Sequence, residues 1–132
     1  TAVGENVIGS QLIAIACGGA IGALSRFGLQ QWLAPMYSGR FPLAIFIANS
    51  IGSLCIGLIY VLIVERGMLP EVWRAFLMVG LLGAFTTFSA FSLDSLRLIE
   101  QGESLIALSN IFANVVVGLI SAFIGMSIGR WL

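Results

Sequence analysis

Four long apolar stretches, separated by short polar connections, dominate this sequence and limit its fold more than any other feature. A helix needs about 20 mostly apolar residues to cross the hydrocarbon core of a bilayer. The stretches lie at about residues 8–33, 42–64, 72–98 and 104–128. Only 9% of the residues are charged, whereas soluble domains contain roughly 25%. The sequence therefore predicts an all-α integral membrane protein, a single transmembrane domain over residues 1–132 with four spans in the lipid bilayer.

The charged residues exclude several classes of function. Six Arg balance six acidic residues, and the chain contains no His. Without a net positive patch we expect no nucleic-acid partner. Without His the chain lacks the commonest general base and metal ligand, so we expect that it is not an enzyme. No basic segment or small-residue cleavage motif precedes the first apolar stretch, which favours a retained span over a cleaved signal peptide.

The arginines bear on how the chain inserts into the membrane. If the spans alternate in direction, three arginines lie on each side, namely Arg66, Arg74 and Arg130 against Arg26, Arg40 and Arg97. An excess of Lys and Arg on the cytoplasmic side normally sets the orientation, and here there is no excess. The balance favours dual topology and an antiparallel homodimer, in which an inverted copy supplies the symmetry that many transporters have internally. The alternative is a single, weakly biased orientation.

The middle of the third stretch differs from the other apolar segments. Gly80 and Gly83 precede a run rich in β-branched and hydroxyl residues, which have low helix propensity, and the run reads Gly83-Ala84-Phe85-Thr86-Thr87-Phe88-Ser89-Ala90-Phe91-Ser92. We predict that the third transmembrane helix is broken here. Irregular backbone at membrane depth persists only where it is buried in protein or lines a wet cavity. A kinked helix whose Ser and Thr side chains bond to their own carbonyls is the alternative.

Polar side chains within the spans are the candidates for a functional site. Asn49 lies in the second span, while Ser109, Asn110 and Asn114 lie on the fourth. An amide in hydrocarbon is costly without a partner or water, so these residues form either a polar track or hydrogen bonds between helices. Arg26 lies inside the first span, where it either reaches the interface or attracts anions to an aqueous vestibule.

Phenylalanine recurs at every third position of the third span, at Phe85, Phe88 and Phe91. The edge of an aromatic ring carries partial positive charge, so it can solvate an anion without the strong hold of a full cation. Hydroxyls of neighbouring residues, including Thr87 and Ser89, add hydrogen-bond donors. The residues alone nevertheless favour simple packing of the rings in a membrane core.

Three motifs give the chain a whole-length resemblance to the Fluc/CrcB family of fluoride channels. They are Gly18-Gly19-x-x-Gly22-Ala23-x-x-Arg26, Asn49-x-x-Gly52, and Gly80-x-x-Gly83-x-Phe85-Thr86-Thr87-Phe88-Ser89-x-Phe91-Ser92. The resemblance implies a passive channel in the bacterial plasma (inner) membrane that exports fluoride from the cytoplasm and relieves its toxicity. It also implies a dual-topology antiparallel homodimer with two pores.

The resemblance further assigns roles to individual residues. Phe88 and Phe91 are the pore phenylalanines whose ring edges meet fluoride, and Asn49 reaches toward the ion. A structural Na⁺, not transported, is implied at the dimer centre, held by the backbone carbonyls of Gly83 and Thr86. Ser109, Asn110 and Asn114 do not align with the family residue by residue and remain candidates from their own pattern.

Two other functions are compatible with four spans. A proton-coupled exporter of the small multidrug type needs a carboxylate deep in a span, whereas the acidic residues here lie at span ends, except for the off-centre Asp94. A non-conducting membrane scaffold explains the small residues on the helices but not the polar run in the third span.

Overall fold

The computed structural model describes residues 2–132, which are helical almost throughout. Within that range four helices are long and apolar enough to span a membrane: Ala2–Leu33, Leu43–Glu65, Glu71–Glu100 and Ser104–Trp131. They are called the first to the fourth span below. The prediction of an all-helical, multi-pass membrane protein with four spans is confirmed. The first span begins earlier than predicted because its helix continues through the polar residues that precede the apolar stretch.

Polar contacts at the helix ends establish that the spans alternate in direction. At one end of the molecule Arg130 Nη2 lies 2.7 Å from Glu65 Oε1, and Arg66 Nη2 donates to the Arg130 carbonyl at 2.7 Å. At the opposite end Arg40 and Glu103 form an ion pair between the first and third connections. The C-terminal ends of the second and fourth spans therefore lie together at one end of the molecule, and the first and third connections lie together at the other. The second and fourth spans thus run in the same direction, opposite to the first and third.

A glycine terminates the third span and turns the chain into the fourth. Gly102 has a φ of +78°, in the left-handed region that glycine adopts without steric cost. The Glu103 N–H donates to the Leu98 carbonyl at 2.8 Å, and the Gly102 N–H donates to the Ile99 carbonyl at 3.0 Å. This pair of bonds is the Schellman ending of a helix. It lets the fourth span begin at Ser104 and run back along the third.

Glycines bring the spans together in pairs. A Cβ on Gly22 would overlap the Leu81 carbonyl oxygen, so the first and third spans touch through their backbones. A Cβ on Gly57 would overlap the Ala122 carbonyl oxygen, and one on Gly125 would overlap that of Leu54. The second and fourth spans are therefore in the same kind of contact. Small residues commonly permit such close approach of helices in membranes.

The third span has an interruption of two residues, Thr86 and Thr87. Its first helical part ends with the segment Gly83–Phe85. Thr86 (φ −82°, ψ 158°) and Thr87 (φ −152°, ψ 125°) are then extended, before the helix resumes over Phe88–Glu100. The part before the interruption packs on the first span, and the part after it packs on the fourth. The third span thus changes its main packing partner where its backbone is extended.

Candidate functional site

A cavity of about 270 Å³ lies beside the interruption, bounded by the second, third and fourth spans. It is lined by Asn49, Gly52, Ser53, Ile56, Thr86, Thr87, Phe88, Phe91, Asn114 and Val115. The structure therefore brings together five side chains that the sequence singled out: Asn49, Thr87, Phe88, Phe91 and Asn114. Aromatic rings, amides and a hydroxyl share this one space, although they come from three different spans.

Two phenylalanines form the aromatic part of the cavity wall. The centroids of the Phe88 and Phe91 rings are 5.5 Å apart, with their planes at 54°. Phe91 is 8% exposed and anchored in the protein, whereas Phe88 is 78% exposed. Both rings belong to the first turn of the helix that follows the interruption. The positions of both rings therefore depend on the contacts that hold this turn in place.

One side chain pairs with the backbone of the interruption. Asn49 Oδ1 accepts a hydrogen bond from the Thr87 N–H at 2.8 Å, while Asn49 Nδ2 donates to the Thr87 carbonyl at 3.1 Å. Extended backbone at membrane depth leaves such groups without helical partners, which is costly in hydrocarbon. Asn49 supplies both missing partners of Thr87 and so stabilises the interruption.

The hydrogen bonds continue from Asn49 into the fourth span. Asn49 Nδ2 also donates to Asn114 Oδ1 at 2.9 Å, and Asn114 Nδ2 donates to Asn110 Oδ1 at 2.8 Å. Asn110 Nδ2 donates to Ser95 Oγ at 2.9 Å, and the Ser95 hydroxyl donates to the Phe91 carbonyl at 2.8 Å. Asn110 is 0% exposed and Ser95 5% exposed, so both lie behind the cavity wall. These amides therefore connect helices, and of the two fourth-span amides Asn114 lines the cavity.

The hydroxyl groups that the sequence singled out are divided between two locations. Thr87 Oγ1 accepts from the Ala90 N–H at 3.2 Å and caps the helix that begins at Phe88. Ser89 Oγ lies 3.4 Å from Thr87 Oγ1, but Ser89 is outside the cavity lining. Ser109 is exposed on the fourth span and donates to the Leu105 carbonyl at 2.9 Å. Ser89 and Ser109 therefore do not join the cluster in the single chain.

Arg26 contacts the same interruption from the first span. Its Nη1 donates to the Ala84 carbonyl at 3.0 Å and to the Thr86 carbonyl at 3.2 Å. A cation at the carbonyl end of a helix is favourable because the helix dipole places partial negative charge there. Sequence reasoning expected Arg26 to reach the interface or a vestibule and missed this contact, which joins residues 58 and 60 positions apart.

The carbonyls of Gly83 and Thr86 meet part of the requirement for a cation site. In a continuous helix they would accept from the Thr87 and Ala90 N–H groups. Here the Thr87 N–H donates to a side chain, and the Ala90 N–H donates to Thr87 Oγ1. Oxygen atoms released in this way are suitable ligands for a hard cation. The Arg26 guanidinium on the Thr86 oxygen opposes a second positive charge there.

Sequence reasoning did not assign a role at the site to Gly52 or Ser95. A Cβ on Gly52 would overlap Thr86 Cγ2, so glycine is needed where the second span meets the interruption. The spacing Asn49-x-x-Gly52 is a signal for this, because residues three apart lie on one helical face. Ser95 follows Phe91 by four residues, but its bond to Asn110 depends on how the third and fourth spans pack.

The fold and the site define a small multi-pass membrane protein whose intramembrane polar groups gather around one cavity at an interrupted helix. The chain belongs to the CrcB family, because the family model for "CrcB-like protein, Camphor Resistance (CrcB)" matches residues 13–126. The resemblance found in the sequence motifs is thereby confirmed.

Several relatives carry a functional name. A "Fluoride-specific ion channel FluC" of Saccharophagus degradans is 46% identical over 81% of this chain and 80% of its own length. One of Chloroflexus aurantiacus is 43% identical over 92% of this chain and 97% of its own length. A "Fluoride-specific ion channel FluC 2" of Symbiobacterium thermophilum is 40% identical over 89% and 96%, respectively. The relatives are ion channels, which confirms the prediction that the chain is not an enzyme.

Proposed function

We propose that this protein is a fluoride-selective passive ion channel and that the cavity beside Thr86 and Thr87 forms part of its ion path. The observation that carries the proposal is the meeting of Phe88, Phe91 and Asn49 around one cavity in a chain whose relatives are named fluoride-specific channels. Each of these residues belongs to a motif shared with that family.

The path must replace the tight hydration shell of fluoride while excluding larger anions. Ring edges of Phe88 and Phe91 offer partial positive charge, and they hold an anion less strongly than a fixed cation does. Asn49 and Thr87 supply polar groups beside the rings, and Asn114 continues the polar track on the fourth span, with Asn110 bonded behind it. Ser89 and Ser109 remain proposed members of the ion path outside this cavity. Arg26 raises the local concentration of anions where ions approach the interruption. A narrow path with dense donors discriminates against chloride by size and by field strength.

The driving force is electrical, and the direction is outward across the inner membrane. Hydrogen fluoride is a weak acid that crosses the bilayer uncharged and dissociates in a near-neutral cytoplasm. An inside-negative potential then favours exit of the trapped anion by about 2.3 kcal/mol per 100 mV. A passive channel uses this gradient without ATP.

Two inverted copies form the working channel and provide two pores. The balance of three arginines on each side supports insertion in both orientations, and an inverted pair has the two-fold symmetry of a closed dimer. A structural Na⁺ at the dimer centre is held by the carbonyls of Gly83 and Thr86 from both copies. When bound, it neutralises oxygen atoms that lack helical donors.

Fluoride efflux from liposomes tests the proposed function. Purified protein is reconstituted, the membrane potential is clamped with valinomycin, and fluoride and chloride release are measured with ion-selective electrodes. We expect fast fluoride release without a proton gradient and no chloride release. Release that requires a pH gradient would replace the channel with a proton-coupled exporter, and no release at all would favour a membrane scaffold.

A further inference from the structure

The hydrogen bonds around the cavity form a closed circuit through one turn of the third span. The circuit starts at the Thr87 N–H and passes through Asn49, Asn114, Asn110 and Ser95. It ends at the Phe91 carbonyl, and the backbone from Thr87 to Phe91 closes it. The enclosed turn is the one that carries the rings of Phe88 and Phe91.

The two ends of the circuit fix the direction of every bond in it. A backbone N–H can only donate, and a backbone carbonyl can only accept. Starting from the Thr87 N–H, the oxygen of each amide must therefore face the preceding donor, and its nitrogen must face the next acceptor. Turning over the amide of Asn49 or Asn114 would place two donors or two acceptors against each other at both of its contacts. Turning over Asn110 would place two donors together at Asn114, and Ser95 could donate to the Asn110 oxygen only by giving up its bond to the Phe91 carbonyl.

Water cannot easily replace a lost member of the circuit at its inner end. Asn110 is 0% exposed and Ser95 is 5% exposed. An amide that loses its partner in such a place bears a desolvation cost that no other contact offsets. Turning the Asn110 amide to find another partner would present its nitrogen to the Asn114 nitrogen. Asn114 could relieve this mismatch only by turning its own amide, which would break its bonds to the Asn110 carbonyl and to Asn49.

We infer that Ser95 and Asn110 are positioning residues of the fluoride path, which act through Asn114 to reinforce the orientation of the Asn49 amide that its bonds to Thr87 set. This inference rests on the proposed function, because the turn they position carries the two pore phenylalanines. Neither residue lines the cavity. Their contribution is to make a single arrangement of Asn49 and Thr87 stable.

The first test replaces Ser95 with Ala and measures fluoride efflux from liposomes. We expect the fluoride rate to fall about tenfold, the factor that corresponds to one lost buried hydrogen bond, while the protein elutes as the wild-type assembly. The matched control is Ser127→Ala, since Ser127 makes the same one-turn bond to the Phe123 carbonyl at 2.8 Å but is exposed and outside the circuit. We expect the control to retain the wild-type rate. A wild-type rate in Ser95→Ala overturns the inference.

A second variant covers the case in which Ser95→Ala does not assemble. Ser95→Cys keeps a weaker donor and acceptor of similar size, and we expect an intermediate fluoride rate with normal assembly. A wild-type rate in Ser95→Cys together with loss of assembly in Ser95→Ala would assign Ser95 to packing alone and overturn the positioning role.

A double-mutant cycle separates action through Asn49 from a local effect. In an Asn49→Ser background the circuit is already open, so adding Ser95→Ala should cause no further loss of fluoride rate. Losses that multiply would mean that Ser95 acts independently, which overturns the inference. A wild-type protein that conducts no fluoride would remove the proposed function as well, whereas a conducting wild type with independent losses removes only the positioning role.

Discussion

Asn49 is the residue on which the local structure of the cavity depends most directly. Both hydrogens of its amide are used, one by the Thr87 carbonyl and one by Asn114 Oδ1, and its oxygen accepts from the Thr87 N–H. We therefore expect the side chain to affect the proposed ion path chiefly by holding Thr87. This position therefore requires a side chain that offers both a hydrogen-bond donor and an acceptor, as an amide does.

Replacing Asn49 by Asp tests that requirement with almost no change in shape. The carboxylate keeps an acceptor for Thr87 but loses both donors and adds negative charge beside the proposed anion path. We expect the fluoride efflux rate to fall by about tenfold to a hundredfold. Asn6→Asp, on an exposed part of the first span, is the matched control and should conduct normally. An active Asn49→Asp channel would contradict the pairing described above.

The two proposed pore phenylalanines should respond differently to the same substitution. Phe88→Ile and Phe91→Ile both remove an aromatic edge, and we expect both to slow fluoride efflux strongly. Only Phe91→Ile should also lower the free energy of unfolding, by about 1 kcal/mol, because Phe91 is 8% exposed and Phe88 78%. Thermal melting in detergent measures the second effect. Unaltered flux in both variants would remove the two rings from the ion path.

At the scale of the helical element, the third span is held at its interruption from two sides. Arg26 on the first span caps the carbonyls of Ala84 and Thr86, and Asn49 on the second span pairs with Thr87. The upstream helix packs on the first span and the downstream helix on the fourth. The extended pair of threonines is therefore fixed by neighbours on both faces.

Arg26 and the proposed central Na⁺ compete for the Thr86 carbonyl. Arg26→Gln retains a hydrogen-bond donor and removes the charge, so the repulsion of a cation at that oxygen is lost. We expect the Na⁺ concentration required for half-maximal stabilisation of the proposed dimer to fall by roughly fivefold, as about 1 kcal/mol of repulsion would give. Thermal melting across a series of Na⁺ concentrations measures it. An unchanged Na⁺ midpoint would argue against a cation at Thr86.

The helix pairs should be sensitive to single methyl groups at their contact points. Gly125→Ala places a Cβ against the Leu54 carbonyl of the second span, and we expect a loss of about 1–3 kcal/mol from overpacking. Gly9→Ala is the control because no atom lies within 4 Å of its added Cβ. Melting temperatures of the two variants in the same detergent give the comparison. Equal stability would mean that the second and fourth spans approach less closely.

The sequence alone predicted the four membrane-spanning helices and several of the residues that line the candidate site. The four spans follow from hydropathy alone, and the low helix propensity of the run from Gly83 to Ser92 marks where Thr86 and Thr87 are extended. Phe88, Phe91 and Asn49, which motifs and polarity single out in the sequence, line the same cavity. The hydrogen-bond partners of Arg26 and Ser95 were not predictable, because these bonds join different spans. The residue pattern of one helix does not indicate which residues of the neighbouring helix lie opposite it.

At the scale of the whole molecule, charge is evenly divided between the two ends. Glu65, Arg66 and Arg130 interact at one end, while Arg40 and Glu103 pair at the other. Neither end carries the excess of positive residues that would select the cytoplasmic side. Small changes in charge should therefore have a large effect on insertion.

Biased variants test whether both orientations are needed. Met68→Lys with Leu69→Lys adds two cations to the connection after the second span, and Ser38→Lys with Gln101→Lys adds two at the opposite end. We expect each variant alone to give little fluoride efflux from cells and the two together to restore it, because an inverted pair forms only when both are present. Replacing Met68 and Leu69 by Gln is the neutral control. Full activity of either biased variant alone would contradict dual topology.

The arrangement of the polar circuit also determines when Asn49 obtains all its hydrogen-bond partners during synthesis. Asn49 and Thr87 can pair as soon as the third span enters the bilayer, but the acceptor for the second amide hydrogen, Asn114, arrives only with the fourth span. Until then the nascent chain holds an unmatched amide donor in hydrocarbon, which is costly. Products that stop before the fourth span therefore differ energetically from the finished chain, and membrane quality control has a physical basis for recognising them.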